Sequence, residues 1–69
     1  MKTKIPQLRK ENKLSQAELA DIVGVTRQTI TSIEIEKYIA SLPLAYRIAK
    51  YFNLKIEDVF DLEEEIWWI

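Results

Sequence analysis

"QAELADIVGVTRQTITSIEI", residues 16–35, decides how the chain folds. Ser15 and Glu18 just ahead of and inside it have capping-box spacing, in which hydroxyl and carboxylate each accept from the other's backbone N–H, so a helix starts at Gln16. Gly24 is placed to take the left-handed conformation that ends this helix. Thr26 then caps a further helix whose inner face carries Ile30 and Ile33. Only Gly24, Val25 and the caps separate the two, and a link so short makes them cross steeply, as a helix-turn-helix. Ala20 must be small where one helix passes over the other, while Leu19, Val23, Val25, Ile30 and Ile33 fill the wedge between them.

Outside this stretch the same helical spacing continues. Ile5, Leu8, Arg9 and Asn12 lie at i, i+3, i+4 and i+7 and predict a short first helix. Ser41 caps a fourth helix with Pro43 in its first turn and an apolar stripe of Leu44, Ala45, Ile48, Ala49 and Phe52. Asn53 is a left-handed stop, and Ile56, Val59 and Phe60 predict a short fifth helix against the core. The expected architecture is all-α: a compact five-helix domain over residues 1–62, with the helix-turn-helix at helices two and three. An acidic and aromatic tail, residues 63–69, follows it.

Composition narrows the chemistry. The 69 residues contain no cysteine and no histidine, which removes disulfides, thiolate metal sites, the usual general base and the commonest metal ligand. No Gly-rich phosphate loop or metal-ligand spacing is present either, so neither enzyme activity, a cofactor, a metal nor a small-molecule ligand is expected. The longest uninterrupted apolar run of the tail, "IWWI" at 66–69, is far too short to span a bilayer, and with no apolar stretch after Met1-Lys2-Thr3-Lys4 no signal peptide is expected. A cytoplasmic protein is expected. The net charge of −1 hides an asymmetry: residues 1–56 hold all ten Lys and Arg against five acids, +5, and residues 57–69 hold six acids and no base, −6. A basic body leaves one face free to hold a polyanion.

With Ile30 and Ile33 inward, Arg27, Gln28, Thr31, Ser32 and Ile35 point away from the core. Arg suits guanine and Gln suits adenine in a major groove, Thr and Ser suit either, and the Thr methyl suits thymine. Residues 16–35, and more broadly Ile5 to Phe60, resemble the phage-repressor-like, xenobiotic-response-element family of transcription regulators. The resemblance implies double-stranded DNA as partner, with Arg27, Gln28, Thr31 and Ser32 as base contacts. It implies phosphate contacts by Gln16 at a helix N-terminus, by the cap residue Thr26 and by Lys37. Arg9 and Glu34, charges beside the apolar stripes of helices one and three, match an ion pair of the family that orients the recognition helix.

The chain departs from the family after "SIE". Asn-Gly-Lys is usual there; Ile35, Glu36 and Lys37 stand in its place. Either the third helix runs on further than usual, or the Glu36 carboxylate weakens DNA binding beside a phosphate. Ile35, Tyr38 and Ile39 form a small apolar cluster where polar residues are usual, and with Trp67 and Trp68 they are candidates for a protein interface. Two functions follow. The first is a sequence-specific, dimeric transcription regulator, with repression the more economical mode. The second is a protein-interaction or self-assembling module on the same scaffold, natural or redesigned, with weak or lost DNA binding.

Overall fold

The structure is a computed structural model, and it describes residues 2–61. Five helices follow in order: α1 (Ile5–Glu11), α2 (Gln16–Val23), α3 (Arg27–Glu34), α4 (Leu42–Tyr51) and α5 (Ile56–Val59). Each cap expected from sequence is formed. Ser15 and Glu18 make the capping box at α2, with the Ser15 N–H donating to Glu18 Oε1 at 2.9 Å and the Glu18 N–H to Ser15 Oγ at 3.0 Å. The Ser15 backbone N–H, and then its side chain, hold the Glu18 carboxyl below its ordinary pKa. The Thr26 and Ser41 hydroxyls accept from Thr29 and Leu44 N–H at the starts of α3 and α4.

One core runs through all five helices: Ile5, Leu19, Ala20, Val23, Ile30, Ile33, Leu44, Ala45, Ile48, Ala49, Val59 and Phe60 are buried. Leu8, Val25, Phe52 and Ile56 close its margin as half-buried side chains. Ala20 of α2 is buried in this core, where a longer side chain would have to push its neighbours apart.

Two features differ from the expectation. Phe60 is not part of the fifth helix: α5 stops at Val59, and Phe60–Asp61 form a strand, β2, antiparallel to β1 at Lys2–Thr3. The register pairs Lys2 with Asp61 and Thr3 with Phe60, and the Lys4 N–H donates to Val59 carbonyl oxygen at 2.8 Å. The Thr3 hydroxyl ties the same corner, donating to Val59 O and accepting from the Ile5 N–H. A two-residue strand carries no alternation long enough to read.

The second difference is at the end of α3. The helix does not run on past Glu34; Ile35 is its C-cap, and Glu36 adopts φ +65°. The Glu36 N–H donates to Ile33 O and the Lys37 N–H to Ser32 O, both at 3.0 Å, which is the paired-bond closure of a Schellman turn. So the left-handed turn survives with a glutamate in the position that favours glycine. An L-residue with a Cβ pays roughly 1–2 kcal/mol there. Glu36→Gly is therefore expected to raise stability by about 1 kcal/mol, the gain being reduced by the greater freedom of glycine in the unfolded chain. Urea unfolding of the two proteins checks it. Lys13 and Asn53 close α1 and α4 in the same way at φ 56° and 59°, and only at α2 is the left-handed residue, Gly24, a glycine.

Candidate nucleic-acid interface

Two buried residues orient α3. Ile30 and Ile33 are within 1% of full burial, and at about 100° per residue Gln28 and Ile35 stand directly opposite them. Arg27 and Thr31 fall to one side of that outward line, and Thr29 and Ser32 to the other. Arg27 and Gln28 are exposed; Thr31 and Ser32 are half-buried against what flanks them.

The flank beside Arg27 and Thr31 is the start of α2. Gln16 Oε1 accepts from Thr31 Oγ1 at 3.1 Å and from Arg27 Nε at 3.4 Å, while its Nε2 donates to Glu34 Oε1 at 2.9 Å. A carboxylate only accepts, so the nitrogen of the Gln16 amide must face Glu34 and its oxygen must face the two donors on α3. Glu34 in turn receives Arg9: Nε at 2.6 Å and Nη2 at 3.0 Å, a two-pronged pair whose side chains are 15% and 7% exposed. Arg9 Nη1 also donates to the Leu14 carbonyl. The chain Arg9–Glu34–Gln16–Arg27/Thr31 thus links α1, both ends of α3 and the start of α2, and among the described residues no buried side-chain polar atom lacks a partner.

The structure places Gln16 in this network, half-buried, and the second N–H of its Nε2 is the donor left for another partner. The sequence carried a signal for this: Gln16 sits at i of the buried stripe Leu19, Ala20 and Val23, at i+3, i+4 and i+7. The bond to Gln16 engages only Nε of the exposed Arg27 and leaves its two terminal nitrogens as donors of the kind a guanine edge accepts.

The opposite flank is the loop between α3 and α4. Tyr38 faces the first turn of α3 across an open groove lined by Thr26, Gln28, Thr29 and Ser32. Thr26 caps the helix and its hydroxyl also meets Thr29 Oγ1 at 3.1 Å. Lys37 is exposed beside Tyr38, as are Ile35 and Ile39, each 56% open. Base-reading candidates Arg27, Gln28, Thr31 and Ser32 are therefore brought onto one face with Gln16, Thr26 and Tyr38 around them. Trp67 and Trp68 lie outside the described residues.

No helix among the described residues is long and apolar enough to cross a membrane. The helix-turn-helix family model HTH_3 matches residues 5–59. The chain is 50% identical over 68 residues to an uncharacterized HTH-type transcriptional regulator of Archaeoglobus fulgidus, covering 99% of this chain and 96% of the relative. It is 52% identical over 65 residues to the uncharacterized HTH-type transcriptional regulator YgzD of Bacillus subtilis, covering 94% and 98%. Among solved structures it resembles a chain of the SinR protein–SinI protein complex, with a TM-score of 0.76, 26% identity and coverage of 94% of this chain and 67% of that one. Sequence, fold and the outward polar face of α3 agree, and the chain belongs to the HTH_3 helix-turn-helix family, of the phage-repressor-like kind.

Proposed function

We propose that this protein is a sequence-specific double-stranded DNA-binding transcription regulator that acts as a homodimer in the cytoplasm, with α3 in the major groove. One observation carries the reading: the face of α3 opposite Ile30 and Ile33 presents Arg27, Gln28, Thr31 and Ser32, hydrogen-bonding side chains of which Arg27 and Thr31 are held by Gln16. Relatives named as HTH-type transcriptional regulators over nearly the whole chain support it. Thr26, Lys37 and the spare N–H of Gln16 lie around that face and supply phosphate contacts. A module this small reads too few base pairs to be selective alone, so two copies about one DNA turn apart read a palindrome. With no catalytic step, regulation is steric, and occupying a promoter represses it.

Selection from a random duplex library at about 0.1 M salt, where the electrostatic share of binding is already moderated, tests this directly. Enrichment of a palindrome is the expected result, and its half-site spacing reports the separation of the two helices. Folded protein that enriches no sequence overturns the reading. A protein-interaction module is the second reading, because Leu42 and Tyr46 on the outer face of α4 are large apolar side chains 72% and 54% exposed.

A further inference from the structure

Tyr38 belongs by sequence to an apolar cluster suited to a protein seam, yet its place in the fold argues otherwise. It lines one groove with Thr26, Gln28, Thr29 and Ser32, and every other side chain of that groove stands on α3 or caps it. A protein seated on Tyr38 would fill the groove and cover Gln28, which stands at the centre of the outward face of α3. A seam there and a reading helix exclude each other. The groove walls are hydroxyls and one carboxamide, with no carboxylate among them; the exposed charges just before Tyr38 in the chain, Glu36 and Lys37, do not line it. That chemistry suits an anionic sugar–phosphate strand and offers little to an apolar partner.

We propose that Tyr38 is a DNA contact: its ring packs on a deoxyribose and its hydroxyl donates to a phosphate of the strand bordering the groove that α3 enters. The two flanks of α3 then have matching tasks. Gln16 holds the Arg27 and Thr31 side, and Tyr38 grips the backbone beside Gln28 and Ser32. The contact is independent of base identity, so it sets affinity and register and leaves the sequence preference to α3. This inference rests on the reading of α3 as a DNA-reading helix.

The test titrates wild type, Tyr38→Ala and Tyr38→Phe with a fluorescent random-sequence duplex of about two helical turns at low salt. Circular dichroism and sedimentation follow folding and self-association. Tyr38→Ala is expected to weaken binding about tenfold, by the same factor on any sequence, with self-association unchanged. Tyr38→Phe, which keeps the ring, is expected to lose only part of that. Unchanged affinity in both variants overturns the contact, as does a Tyr38→Ala protein whose weaker binding is matched by a loss of self-association. Should Tyr38→Ala fail to fold, full affinity in Tyr38→Phe overturns the hydroxyl contact. Wild type that binds no duplex removes the functional reading itself, an outcome separate from a Tyr38 variant behaving like a competent wild type.

Discussion

Glu34→Ala is expected to destabilise the domain by about 3 kcal/mol or more, because removing one partner of a largely buried ion pair strands the other. Glu34 accepts from Arg9 twice and from Gln16 once, so the substitution leaves three donors without their acceptor in a place where side chains are largely shielded from water. For a domain of this size, with total stability of about 5 kcal/mol or little more, that is enough to populate the unfolded state at ordinary temperatures. Replacing Arg9 as well takes the stranded guanidinium away. The double variant should accordingly be more stable than the sum of the single losses by about 1–3 kcal/mol. Urea unfolding of the four proteins of the cycle measures the coupling; a value near zero would remove the pair from the account of what holds α3 in place.

The second large effect concerns reading rather than folding. Arg27 is exposed and bonded through Nε alone, so its two terminal nitrogens remain for the fork that matches guanine O6 and N7. Arg27→Ala is expected to cost about 1–3 kcal/mol at each half-site. A dimer carries the residue twice, so the palindrome loses about 2–6 kcal/mol, at least roughly 30-fold in affinity. The loss should be specific. Changing the guanine should weaken wild type comparably and leave Arg27→Ala almost unaffected. Arg27 would instead be a phosphate contact if the loss were equal on all sequences and the salt slope fell by about one per subunit.

What the sequence disclosed follows the range of each physical signal. Capping boxes, helical stripes and Gly24 are local, and the five helices and their core were legible from them. The left-handed turns at Lys13 and Glu36 were not, because the closing backbone bonds impose a conformation that neither residue favours. The β1–β2 pairing joins Lys2 to Asp61 and Thr3 to Phe60, nearly the whole described chain apart, through two-residue strands, so no window along the chain contains it. At the candidate interface, periodicity identified the outward face of α3. It could not say that the Gln16 amide turns inward, or on which side of α3 Tyr38 stands, since both depend on how α2 and the α3–α4 loop pack beside it.

The β1–β2 clasp also sets an order of assembly. The most extensive helix packing, α2 on α3 and α4 on α5, joins neighbours in the chain, and helices and their turns form within microseconds. The clasp must close a loop of nearly the whole domain for a few backbone bonds, and the entropy of that closure grows with loop length. From loop length it is expected to close late in folding and to open early. Val59 and Phe60 are buried beside it, so the end of the core held by α5 is expected to dry last, after the helix-turn-helix has assembled. On that order the polar face of α3 belongs to the part expected to form first, and the β1–β2 pairing is a latch closed on it afterwards.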